Sequence, residues 1–130
     1  MNRPKIVCLC GSTRFAEAFQ LANINESIAG KIVLTVCCLT QSNDQLAQLI
    51  TPEVKTNLDL LHLQKVKLAD EVLILNVGGY VGESTYREFL FAYGFGKTIR
   101  FLEPDNIPNK CSEVLSGKRY VELFQGAANV

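Results

Sequence analysis

The chain has no surplus of charge: thirteen lysines and arginines face thirteen aspartates and glutamates, for a formal net charge of zero. Without a basic field there is no electrostatic footprint for a long nucleic-acid backbone, so any nucleotide bound is expected to be small. Long apolar runs are missing too. No stretch approaches the roughly 20 residues of a membrane span, and the apolar part of the opening MNRPKIVCLCGS is too short for a signal peptide. A cytoplasmic protein with no membrane partner is expected. Histidine occurs once, and the five cysteines form no C-x-x-C pair with matching partners, as a zinc framework would need. The expectation is therefore no metal and no cofactor. Cys8 and Cys10 alternate within an apolar run and would share one face of a strand, Cys37 and Cys38 end another run, and Cys111 stands alone. They read as buried thiols in a reducing compartment. Internal repeats and low-complexity segments are also lacking, and 130 residues suffice for one domain with its own core.

What is present is a strand–helix alternation. Residues 5–10 read as a buried strand, followed by a loop at Gly11–Arg14 and a helix with Phe15, Ala18, Phe19, Ala22 and Glu26 on one face. Gly30 is placed to stop that helix, and residues 31–38 form a second strand. Residues 39–51 look irregular, with one helical turn near 45–49. Pro52 then opens a helix to about Ala69, with Val54, Leu58, Leu61 and Leu68 expected to face inward. Residues 71–77 form a third strand without polar alternation, as where both faces are covered. A helix over 84–95 and a strand over 98–102 follow, and 111–115 and 120–124 could be short elements. Such alternation predicts a single-domain α/β fold: a flavodoxin- or Rossmann-like parallel sheet of order 2-1-3-4 with helices on both faces. The core spans about 5–103, with an extension over 104–130. In that order strands one and three are neighbours, so the loops leaving them, Gly11–Arg14 and Gly78–Glu83, meet at the carboxyl edge where such sheets bind ligands.

Gly11, Ser12, Thr13 and Arg14 offer small residues, backbone amides and a guanidinium at a helix start, which suits a phosphate. A plain helix cap by Ser12 or Thr13 fits the same letters. Gly96-Lys97-Thr98 is not a triphosphate loop: Phe91 stands where that motif needs glycine, and the order is helix to strand. Glu88 also has two readings. Thr85-Tyr86-Arg87-Glu88 spells a capping box, in which Glu88 folds back onto the Thr85 amide. Alternatively Glu88 faces the crevice as a carboxylate nucleophile.

Together, VCLCGSTR and LADEVLILNVGGYVGESTYREFLFAYGFGKTIRFL resemble the nucleoside 2-deoxyribosyltransferase superfamily, which includes 2'-deoxynucleoside 5'-phosphate N-hydrolases. The resemblance implies an N-glycosidase or deoxyribosyltransferase acting on a small nucleotide or nucleoside, with Gly11, Ser12 and Arg14 on its 5'-phosphate. Glu88 would attack the anomeric carbon, and Gly79, Tyr80, Gly82 and Ser84 would line the substrate. Ungapped counting puts the family's second acidic group at His62, one turn after Asp59, so either could fill that role. The loop GGYVGES departs from the family's Ser-x-Gly and is similar to that of lysine-decarboxylase-like phosphoribohydrolases, which also cleave N-glycosidic bonds. Members associate as dimers or larger homo-oligomers, and Phe89, Phe91, Tyr93 and Phe95 give the helix after Glu88 apolar residues on more than one face. The reading from another class is a catalytically silent nucleotide-binding module of the same fold.

Overall fold

The computed structural model describes residues 3–37 and 48–117. Four strands, β1 (Ile6–Cys10), β2 (Ile32–Leu34), β3 (Glu71–Ile74) and β4 (Thr98–Phe101), make one all-parallel sheet in the order β2-β1-β3-β4. The helices are α1 (Ala16–Ile28), α2 (Pro52–Leu68), α3 (Glu83–Gly94) and α4 (Asn109–Leu115), with single 3-10 turns at Val77–Gly79 and Pro104–Asn106. The expected fold class and strand order are those observed. No helix among the described residues is long and apolar enough to cross a membrane.

The period of two along each strand sorts the core into two layers. Cys8, Cys10, Val72 and Ile74 point to one side, where Val66, Ala69, Phe89, Ala92, Cys111 and Val114 of α2, α3, α4 and their flanks cover them. Val7, Leu9, Leu73 and Leu75 point to the other, where the cover is Phe19 and Ala22 of α1. Cys8, Cys10 and Cys111 are buried, as expected, but Cys37 is exposed. Cys38, the turn near 45–49 and the element at 120–124 lie outside the described residues.

Three expectations shift. The second strand ends at Leu34, where its pairing with Cys8 ends, and the Thr35 carbonyl accepts a hydrogen bond from Lys65 Nζ at 2.7 Å instead. The third strand ends at Ile74 because Asn76, fully buried, turns its amide to the loop after β4. It donates to the carbonyls of Glu103 (3.0 Å) and Asn106 (3.1 Å) and accepts from the Glu103 amide (2.9 Å). The inner face of α2 is also rotated from the expected one. Thr51 caps the helix and Pro52 opens it, but the buried residues are His62 and Val66, while Leu61 and Leu68 are 51% and 68% exposed. The run LDLLHLQKVKL is apolar on every side, so its pattern does not fix the rotation. Only a stripe such as 58, 62, 66 and 69 can lie on the sheet at once.

Candidate active site

The close approach of the two loops starts with glycine. A Cβ on Gly11 would lie 3.0 Å from the Leu75 Cβ, so a side chain there would push the chain leaving β1 away from the end of β3 by a few tenths of an ångström. Gly79 has φ +80, and a Cβ there would fall 2.8 Å from Asn106 Oδ1. Gly78, at φ 62, donates its amide to Glu103 Oε2 at 2.8 Å. Both glycines therefore shape the turn, tied to the loop after β4.

Between the loops lies a cavity of about 240 Å³. Gly11, Ser12, Thr13, Asp59, His62, Tyr80, Gly82, Ser84 and Glu88 all line it, so most of the candidate residues converge. Gly79 does not. Nor does Arg14, which lines a neighbouring groove between α1 and the sheet. Its guanidinium stacks 4.3 Å from the Tyr80 ring centroid, and its Nε donates to Ser12 Oγ at 3.1 Å. Neither Ser12 nor Thr13 is the N-cap residue of α1. The helix begins only at Ala16, its N-cap position is Phe15 without a side-chain cap, and Ser12 Oγ accepts from the Arg14 amide at 3.4 Å.

The capping box is not formed. The N-cap of α3 is Gly82 and Thr85 is buried inside the helix, so Glu88 falls in the second turn and faces the cavity. A Cβ on Gly82 would approach the Tyr80 hydroxyl at 2.9 Å, so a capping side chain there would require the Tyr80 ring to shift. The helix starts earlier than its Ser/Thr pattern suggested, and Glu88 is thereby released from a capping role.

Glu88 Oε1 lies 3.9 Å from His62 Nε2, with side-chain exposures of 12% and 6%. Behind them, at the sheet, His62 Nε2 sits 3.7 Å from both Cys8 Sγ and Cys10 Sγ. His62 Nδ1 is buried without a hydrogen-bond partner among the described residues, so the polar contacts of the ring there fall on Nε2. Asp59, one turn earlier, is held by Lys55 Nζ at 3.2 Å on a more exposed part of the wall. Of the two candidates for the second group, His62 is the one beside Glu88.

Burial pushes the Glu88 carboxyl up to about 7, opposed by the His62 charge and reinforced by Cys8. Burial works to lower the His62 pKa, but the hydrogen bond and charge of Cys8, with Glu88, outweigh it and the net direction is up. The two thiols share a hydrogen bond that holds Cys8 below, and Cys10 well above, the ordinary thiol value. Near neutral pH this is a carboxyl group between its two protonation states, suited to acid–base or nucleophilic work. The cysteines were missed as site residues. Their alternation put them on one face, but nothing in the letters said that His62 and Glu88 cover that face.

Comparison with models of known protein families gives no match, and comparison with characterised protein sequences gives none either.

Proposed function

We propose that the chain is an enzyme that breaks, or transfers across, the N-glycosidic bond of a small nucleotide or nucleoside. The observation that carries this reading is Glu88: a buried carboxylate, free of any capping role, facing a cavity at the carboxyl edge of the sheet beside His62. The Glu88 carboxylate attacks the anomeric carbon, the bond from that carbon to the base nitrogen breaks, and the base leaves with the electron pair and takes up a proton. His62, 3.9 Å from Glu88, is placed to orient sugar hydroxyls or supply that proton. Water or an acceptor then attacks the glycosyl ester and regenerates the carboxylate, so the sugar keeps its configuration. Ser12 and Arg14 hold the 5'-phosphate at the rim. The family resemblance of the two loop motifs points to the same reaction class.

Association into a homo-oligomer belongs to the same proposal. Of the four aromatics expected to mark it, Phe89 is in the core and Phe95 is 50% exposed. On α1, Leu21, Ile24 and Ile28 add an exposed stripe at helical spacing. Light scattering reads this directly, and a monomer at working concentration removes it.

The test of function is incubation with a panel of nucleoside monophosphates and nucleosides, followed by chromatography for free base. Release by the wild-type chain and none by Glu88→Gln is the expected result. Ligand binding by calorimetry with no base released from any compound would leave a silent nucleotide-binding module.

A further inference from the structure

The nucleophile and its histidine account for one side of a tighter cluster. Cys8 Sγ, Cys10 Sγ and His62 Nε2 all lie within 4.8 Å of one another, and all three residues are buried. Glu88 stands beside the cluster, with Oε1 3.9 Å from the same Nε2. Two sulfurs and one imidazole nitrogen around a common centre, with a carboxylate beside them to supply a fourth donor, suit a tetrahedral zinc site.

We propose that Cys8, Cys10, His62 and Glu88 bind one zinc ion, which removes Glu88 from the cavity and holds the site inactive. The spacing can be checked against bond lengths. Zinc at about 2.3 Å from sulfur and about 2.05 Å from nitrogen, with tetrahedral angles, requires S···N separations of about 3.6 Å. Both observed separations are 3.7 Å. A nitrogen and an oxygen on the same ion stand about 3.4 Å apart; Glu88 Oε1 is 3.9 Å from Nε2 but outside the 4.8 Å set of the other three, so its side chain has to swing toward the sulfurs to join the ion.

The local sequence explains why the set exists. C-x-C on a strand sends both thiols to one face, α2 sets His62 over them, and the early start of α3 turns Glu88 toward them. Zinc enters from the cavity, which His62 and Glu88 line. On binding, any proton still held by either sulfur or by His62 Nε2 passes to buffer, and the imidazole offers its Nε2 lone pair. The inhibitory consequence rests on the proposed function; the metal site does not.

The experiment uses untagged full-length chain, freed of metal by chelation, dialysed against zinc and then against plain buffer. One zinc per chain by atomic emission is expected, and cobalt(II) in its place should give the thiolate-to-metal charge-transfer absorption of a sulfur-bound ion. Cys8→Ala and Cys10→Ala should each lower affinity at least about 100-fold, the upper end of what loss of a supporting contact alone costs. The double variant Cys37→Ser/Cys38→Ser should bind as wild type. If a cysteine variant fails to fold by circular dichroism, His62→Gln takes its place with the same expected loss. No retained zinc, cobalt without the thiolate band, or equal binding by Cys10→Ala overturns the site. None of these readings needs turnover, so a chain that binds zinc yet never releases base keeps the site and loses the glycosidase reading. Base release undiminished with zinc bound overturns the inactivation.

Discussion

Glu71 and Glu88 are buried to a similar degree, with side-chain exposures of 8% and 12%, on opposite faces of one sheet. Their surroundings displace them in opposite directions. At Glu71 burial would raise the carboxyl, but Lys31 Nζ at 2.6 Å and Arg100 Nη2 at 2.7 Å overturn that, and the net direction is down. Glu26 joins the same two cations and completes a network of two acids and two bases. At Glu88 burial wins, because the group opposite is a histidine at 3.9 Å that shares itself with two thiols. A buried carboxylate with matched cations ties elements together; one left short of positive charge is held ready for chemistry or for a cation. The same contrast separates two arginines. Arg100 has two carboxylates, while Arg14, stacked on Tyr80, has no acidic partner among the described residues.

The sharpest way to break this comparison is catalytic. Glu88→Gln should lower base release by about 10³-fold or more, the scale of losing an essential reacting group. Glu71→Gln, on the other face, should leave kcat within about threefold of wild type wherever it is folded. Equal losses in the two variants would mean that burial alone, and not the unmatched environment, decides which glutamate matters. The pH profile is the companion measurement. A nucleophile must be ionised, so kcat/KM should fall about tenfold per pH unit below the Glu88 value of about 7 and level off above it. A profile flat from pH 5 to 8 would argue against Glu88 as the ionising group.

Stability should respond to the two glutamates with opposite signs. The Glu71 pKa is lowered, so its contribution is present above the unfolded value and is lost as pH falls through the folded one. Glu71→Ala should cost about 2–3 kcal/mol at pH 8, the cost of breaking a buried pair discounted for the 38% exposure of Arg100. Glu88 runs the other way. Its pKa is raised from 4.5 to about 7, so the stabilising contribution is full below about 4.5 and is lost as pH rises through about 7. Glu88→Gln should therefore be more stable than wild type at pH 8, by up to about 3 kcal/mol, and the gap should close by pH 4. Urea unfolding at the two pH values measures both signs. A destabilised Glu88→Gln at pH 8 would mean that the carboxylate is anchored, as Glu71 is.

The fold was readable because it depends on pattern. Apolar runs at residues 5–10 and 71–77 lack polar alternation, helices lie between them, and the handedness of parallel crossovers leaves few arrangements. The convergence of the Gly11 and Gly82 loops followed from that order. What was not readable depends on rotation and on single turns. α2 carries leucine or valine on every side among its polar residues, so only its packing reveals that His62, and not Leu61, faces the sheet. A T-x-x-E spelling is equally good in the middle of a helix, and the observed N-cap, Gly82, lies three residues before Thr85, where the capping-box pattern does not point. Asn76 sat inside an apolar run and was counted with the strand, although its side chain ties the two loops after β3 and β4 together. The cysteine–histidine cluster needed both the face of β1 and the rotation of α2, so it lay two inferences beyond the letters.

The smallest effect belongs to the arginines. Arg14 is exposed, and among the described residues its charge meets the rings of Tyr80 and Phe15 and the Ser12 hydroxyl but no carboxylate. Arg14→Ala should therefore leave stability within about 1 kcal/mol of wild type. Arg100→Ala should cost more, because it leaves Glu26 and Glu71 with Lys31 alone. The effect of Arg14→Ala should appear in ligand choice. If the guanidinium swings from Tyr80 onto a 5'-phosphate, the variant should bind a nucleoside monophosphate about tenfold more weakly, near 1.4 kcal/mol, and the parent nucleoside unchanged. Arg14→Lys should recover little of this, since an ammonium neither forks onto phosphate oxygens nor stacks flat on a ring as guanidinium does. Titration calorimetry with a matched nucleoside and monophosphate decides it. Equal affinities of the wild-type chain for both would remove the phosphate contact and leave Arg14 as a clamp on Tyr80, the wall of the cavity.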